Sequence, residues 1–198
     1  MTVLLEGSNG CGKSALAAKV ALESNFPFVK LISPESFVGY TEQGKVSQIV
    51  KIFEDAYKSP LSLIVLDDLE RLIEFIHIGP RFSNHVLQTL LVLIKKKPAN
   101  AARKLMVVAT TAMKHILKEM ELVDAFNVVM KVPLVQQEDE FVAVLKKFGT
   151  AEAESREIAG RCGDLPIKTL MLVAEMAVRK TGAPPTFESF AACLKAMA

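Results

Sequence analysis

Gly7-Ser8-Asn9-Gly10-Cys11-Gly12-Lys13-Ser14 satisfies in full the spacing GxxxxGK[ST]. Glycines at those positions let the backbone curl until successive N–H groups point inward at a polyphosphate, and a helix opening at Lys13 adds the positive end of its dipole. In such a loop the lysine reaches the β- and γ-phosphates and the Ser14 hydroxyl ligates Mg²⁺. Residues 7–15, including Ala15 at the start of the helix, are therefore the candidate contacts to the phosphates of a nucleotide. A chance glycine-rich strand–helix turn is the competing explanation. It accounts poorly for a complete motif set between the apolar run Val3-Leu4-Leu5 and a helical stretch over 15–23.

A second candidate is Leu63-Ile64-Val65-Leu66-Asp67-Asp68, an apolar strand that ends on two carboxylates. After a phosphate loop, an acid in this place holds Mg²⁺ through water, so Asp67 is expected to do so and to hydrogen-bond Ser14. An acid-capped strand end is the plainer alternative. Asp68 would face the attacking water, where many enzymes of this design use a glutamate. Its stem is one methylene shorter, and about 1 Å of misplacement can cost roughly a hundredfold in rate. Binding is untouched by that shortfall, so the residues read as a slow hydrolase.

These groups need a scaffold, and the chain supplies one by alternating strands and helices. Strands are expected at 3–6, 28–32, 61–66, 105–109 and 128–132, with helices at 13–24, 41–57 and 84–97 between them. The unbroken apolar run at 61–66 suits a parallel strand covered on both faces. The economical fold is an α/β doubly wound sheet. Beyond Pro133 only helical patterns occur, at 138–148, 152–161, 167–181 and 187–197. The expected division is a phosphate-loop α/β part over 1–133 and a small helical part over 134–198, with helices that merely flank the same core as the alternative.

Composition narrows the function classes. The chain has 198 residues, 51% hydrophobic and 23% charged, with a net charge of +2. That balance fits a folded domain and gives no electrostatic case for nucleic acid or an acidic membrane. The local positive run Lys95-Lys96-Lys97, followed by Arg103 and Lys104, suits a solvated helix C-terminus as well as a partner. Cys11, Cys162 and Cys193 have neither disulfide nor metal spacing, which points to a reducing compartment. Cys11, inside the loop, is a candidate for alkylation or oxidation. The apolar stretch at 86–94 is too short to span a bilayer. No signal peptide is seen, and a chain that enters a core strand at once reads as a piece of a longer protein.

Longer segments now become informative: LLEGSNGCGKSALAAKVALESNFPFVKLISPE, KIFEDAYKS, VLDDLERLIEF, IGPRFSNHVLQTLLVLIKKKP and IKTLMLVAEMA. From Val3 to about Lys180 the chain resembles the second ATPase domain of the N-ethylmaleimide-sensitive fusion ATPases (Sec18-like), within the AAA+ family. The resemblance implies a five-stranded sheet in the order 5-1-4-3-2 with a four-helix lid. It also implies a hexameric ring that, with soluble attachment proteins, pulls apart SNARE complexes, the second domain binding ATP tightly and turning over slowly. The setting it implies is cytoplasmic, peripheral to vesicle and organelle membranes, and the preference for adenine is taken from it alone.

The same resemblance assigns further roles. Thr110 falls at the first sensor position, where its hydroxyl would bond a water or the γ-phosphate; a capping threonine is the alternative. Lys168 falls at the second sensor position, placing a cation over the phosphates. Here Asp164-Leu165-Pro166 precedes it, where the family more often has glycine directly before Ile-Lys, and a solvated lysine at a helix start is the other reading. Active members carry arginines after the region 113–129 that reach a neighbour's γ-phosphate, a contribution of roughly 10³–10⁵ in rate. Between Lys104 and Arg156 this chain has none, only lysines such as Lys114, Lys118 and Lys131. Arg81 is either an interface residue or a loop ion-pair partner. Tyr40 is either a pore-loop aromatic or a loop tyrosine packed against Pro34.

Overall fold

The computed structural model describes residues 1–79 and 81–197. Five parallel strands, β1 (Thr2–Glu6), β2 (Phe28–Ile32), β3 (Leu61–Leu66), β4 (Lys104–Thr111) and β5 (Val128–Lys131), form one sheet in the order β2-β3-β4-β1-β5. This is the arrangement 5-1-4-3-2 read from the other edge, as the resemblance implied. Register is continuous across the middle: Leu4 pairs with Ala109 and Val129, and Ile64 with Lys30 and Val107.

Residues Met1–Gly7 and Lys13–Lys131 form one compact unit, and Ser8–Gly12 with Val132–Ala198 form another. In the first, β3 is buried along all but its first residue, and its one polar member, Ser62, donates to the Ala56 carbonyl at 2.6 Å. Helix α1 (Lys13–Glu23) lies against β1, β3 and β4; α2 (Glu42–Ala56) lies against β2, β3 and α4 (Asn84–Lys95). Leu4, Ile32, Phe53, Ile64, Leu66 and Leu90 meet in a single apolar core. Helix α2 starts at Thr41, whose Oγ1 accepts from the Gly44 N–H; α4 starts at Ser83, whose Oγ accepts from the Val86 N–H. Ser83 also donates to Glu42, tying the two helix starts together.

Helix α4 ends two residues earlier than its apolar pattern suggests. Lys96 is already extended, and Pro98 disfavours helical geometry at the residue before it. Two short helices were missed in sequence, α3 (Leu69–Leu72) and α5 (Lys114–Glu119), because one turn or so displays no periodicity. The second unit holds α6 (Glu138–Leu145), α7 (Glu152–Cys162), α8 (Ile167–Thr181) and α9 (Phe187–Met197) around Phe141, Ile158, Leu170 and Phe190. Its first helix is capped by Glu140, which accepts from the backbone N–H groups of Gln136 and Gln137. Those two bonds lower the carboxyl's pKa. No helix among the described residues is long and apolar enough to cross a membrane.

Candidate functional site

The phosphate loop owes its curl to two glycines in left-handed backbone, Gly10 at φ +79° and Gly12 at φ +100°. Within the second unit the loop packs on the start of α8. A Cβ at Gly10 would come within 3.2 Å of the Lys168 Cβ and 3.3 Å of the Pro166 Cβ, and one at Gly12 within 3.3 Å of Ile167. The Lys168 backbone N–H donates to the Gly10 carbonyl at 3.0 Å, so Lys168 joins the loop through its main chain while its side chain is exposed. Pro166 fits as the residue before the helix, with φ −60° and ψ 136°. Ser8 and Asn9 are exposed, whereas Cys11 is buried.

The first unit contributes the rest of the motif. Gly7 follows β1 and donates its N–H to the Thr111 carbonyl. Lys13 is buried, and its Nζ donates to the Gly7 carbonyl at 2.9 Å. Ser14 and Ala15 are exposed in the first turn of α1.

Parallel register brings the ends of β3 and β4 side by side, with Leu66 opposite Ala109. Asp67, Asp68 and Thr110 therefore meet. The Thr110 hydroxyl donates to Asp67 Oδ1 at 2.7 Å and accepts the Asp68 N–H at 2.9 Å. A hydroxyl has one proton, and here it goes to Asp67. The expected Ser14–Asp67 hydrogen bond is not made among the described residues. Asp68 sits in left-handed backbone, φ 52° and ψ 64°, a conformation aspartate tolerates better than most residues. Burial, then the neighbouring charges of Asp67 and Glu70, push its carboxyl above the usual aspartate range.

Sequence reasoning missed Glu70. It is buried and accepts from the Thr111 hydroxyl at 2.8 Å and from the Ala112 N–H at 2.9 Å, clamping the end of β4. An acid two residues beyond an acidic pair gave no sign that it would turn inward. Lys45 was also missed: buried on α2, it donates to Glu74 at 2.6 Å and to the Leu72 carbonyl at the end of α3. Lys114 pairs with Glu6 at 2.8 Å, so that cation is held within its own chain. Tyr40 packs edge-on against Phe37 with ring centroids 5.8 Å apart. Arg81 pairs by backbone with Ile76, closing a loop whose Pro80 lies outside the described residues.

For Mg²⁺ the available donors are of the right kind, the hard oxygens of Ser14 and Asp67. No group of three or more His, Cys, Asp or Glu among the described residues is placed to hold a metal. An ion here would draw its remaining ligands from water and phosphate oxygens, as Mg²⁺ commonly does.

A parallel sheet in this order, with a glycine loop after β1 and acids after β3, defines an α/β phosphate-loop nucleotide-binding domain. Residues 3–134 match the ATPase family associated with various cellular activities (AAA), and the chain belongs to it. It is similar to the vesicle-fusing ATPase of Dictyostelium discoideum, 46% identical over 98% of this chain and 26% of the relative. The vesicle-fusing ATPase of Arabidopsis thaliana is 46% identical over 90% of this chain and 24% of its own length. The vesicular-fusion protein SEC18 of Saccharomyces cerevisiae is 43% identical over 73% and 19%. The chain thus spans about a quarter or less of the length of these relatives.

Proposed function

We propose that this domain binds ATP or ADP with Mg²⁺ and serves chiefly to hold together a ring-forming vesicle-fusion ATPase, with slow or no turnover of its own. The loop residues Gly7 to Ala15 would enclose the phosphates, with the Lys13 ammonium moving from the Gly7 carbonyl to the β- and γ-phosphate oxygens. Ser14 and, through water, Asp67 would hold Mg²⁺, which neutralises phosphate charge when bound. Lys168 would bring a further cation to the phosphates and report their presence to the helical part over 134–198.

The observation that carries the slow-turnover part is the state of Asp68. Its backbone is fixed in left-handed geometry by the Thr110 hydroxyl, on a side chain shorter than glutamate. That shorter reach misplaces the carboxylate as a base for an attacking water, and about 1 Å of misplacement can cost roughly a hundredfold in rate. The chain also lacks an arginine between Lys104 and Arg156 to offer a neighbour. In the full-length protein we assign SNARE-complex disassembly, with soluble attachment proteins, to the combined domains. Its place is then the cytoplasm, at vesicle and organelle membranes.

Isothermal titration with ATP and ADP, with and without Mg²⁺, tests the binding reading. Saturable heat that disappears in Lys13→Ala is expected, and no heat for the unaltered chain overturns it. Native mass measurement with ATP·Mg²⁺ tests assembly, where oligomers dependent on nucleotide are expected. A steady-state rate above about 1 s⁻¹ per subunit, within the ordinary enzyme range, and lost on Asp68→Ala would replace the slow reading with an active one.

A further inference from the structure

Strand β2 is outermost in the order β2-β3-β4-β1-β5, three strand spacings or about 14 Å from the strand that begins the chain. Its register sets Ile32 opposite Leu66, and the Ile32 carbonyl accepts the Asp67 N–H at 2.9 Å. Alternate residues of a strand turn their main-chain groups to opposite sides, so Phe28, Lys30 and Ile32 bond toward β3. Val29 and Leu31 turn their N–H and C=O groups outward, where a further strand can pair with them.

Side chains alternate along the same strand. Ile32 faces the core and Lys30 shares its face, while Val29 and Leu31 point to the other, 39% and 58% exposed. On the Lys30 side a recess of about 300 Å³ lies between β2, the 3₁₀ turn Pro34–Phe37 and α2. Phe37 and Ile52 give it apolar wall, and Tyr40 and Gln48 give it polar groups. The buried Lys45 ammonium lies 5.8 Å from the Phe37 ring centroid, and Tyr40 packs edge-on against the same ring, so this wall is held in place. Lys30 and Lys51 bring charge from strand and helix, against one acid, Asp55. Among the described residues Asp55 pairs with Lys58 at 2.7 Å, which leaves Lys30 and Lys51 as surplus positive charge. A lysine in mid-strand can guard an edge against pairing. That role accounts neither for two exposed apolar side chains on the same edge nor for the second lysine and the recess beside it.

We propose that the outer edge of β2 docks an extended peptide segment in which apolar and acidic residues alternate. The segment's main chain continues the sheet past β2 by bonding to Val29 and Leu31, and its side chains supply the specificity. Directly opposed residues of adjacent strands share a face. Acidic side chains therefore lie toward Lys30, Lys51 and the recess, and apolar ones lie beside Val29 and Leu31. The five residues of β2 span about 13 Å, room for a guest of about five residues.

Fluorescence anisotropy with the fluorescein-labelled peptide Thr-Val-Glu-Val-Glu-Val-Thr tests this. One control carries lysine in place of glutamate, and another has the same composition with both glutamates at one end. Saturable binding of the alternating acidic peptide is expected, with each control weaker by roughly tenfold or more. The double variant Lys30→Glu/Lys51→Glu, altered only at exposed positions, should weaken the acidic peptide about tenfold and strengthen the lysine one. Leu31→Pro removes an outward N–H without touching the ladder to β3, and should also weaken binding about tenfold. The acidic peptide should slow amide exchange at Val29 and Leu31. Circular dichroism checks that each variant folds, and either variant alone suffices to decide. The proposal is overturned if the acidic peptide does not bind, if either control binds equally well, or if binding is unchanged in either folded variant.

Discussion

The Thr110 hydroxyl gives its proton to Asp67 Oδ1 at 2.7 Å, joining the ends of two adjacent strands through a fully buried side chain. The same oxygen receives the Asp68 N–H, so one atom sets both the direction of one acid and the backbone of the next. Thr110→Val keeps the shape and removes only the hydroxyl, leaving a carboxylate oxygen and an N–H without this partner. A loss of about 1–3 kcal/mol is expected. Thr110→Ser restores the hydroxyl and should recover most of it. Denaturant midpoints for the three proteins, at unchanged m-value, provide the measurement.

Asp68 supplies a pH signature. Burial and two neighbouring acids raise its folded pKa above the unfolded value, so the folded state binds this proton more tightly than the unfolded one. The resulting stabilisation is complete below the unfolded pKa and is lost as pH rises through the folded one. Asp68→Asn removes the titration. The variant's stability relative to the original should therefore climb across the range just above ordinary aspartate values and level off beyond it. Unfolding curves collected between about pH 3 and pH 8 test the sign. A variant stability that falls relative to the original as pH rises contradicts the assignment.

Much of the fold was legible because its signals are local. A strand buried on both faces shows as unbroken apolar sequence, which is what 61–66 displays, and breakers such as Ser59-Pro60 mark its edge. Helix α3, with four residues, and α5, with six, are too short to show a period. At the site, residue types and spacing named the loop and the acidic pair, the family resemblance named Thr110, and parallel register then brought Asp67, Asp68 and Thr110 together. Hydrogen-bond direction was not legible. Whether the Thr110 proton goes to a phosphate or to Asp67 depends on a strand 43 residues away. Glu70 was invisible for the same reason, since its partners Thr111 and Ala112 are 41 and 42 residues distant.

Gly10 and Gly39 share left-handed backbone, φ +79° and +84°, but differ in surroundings. A Cβ at Gly39 meets nothing within 4 Å, so Gly39→Ala carries only the conformational penalty of about 1–2 kcal/mol. A Cβ at Gly10 meets the Cβ atoms of Lys168 and Pro166 at 3.2 and 3.3 Å, both close to backbone and unable to swing aside. Gly10→Ala should cost at least as much again, since overpacking typically adds about 1–3 kcal/mol. Equal shifts in thermal midpoint for the two variants would show that the loop does not bear on α8 as described.

Glu70 is a buried carboxylate that accepts from two donors at the end of β4, the Thr111 hydroxyl and the Ala112 N–H. Thr111 in turn accepts the Met113 N–H at 3.0 Å, so the clamp extends to the residue before α5. Removing the carboxylate leaves those donors facing a hole, and Glu70→Ala is expected to cost about 2–3 kcal/mol. Glu70→Gln keeps one acceptor oxygen but turns an N–H₂ toward the other donor, so an intermediate loss is expected. Amide hydrogen exchange locates the damage. Faster exchange should begin at Ala112 and Met113 and leave β3 protected. Uniform acceleration across the sheet would mean that Glu70 supports the whole core rather than the end of β4.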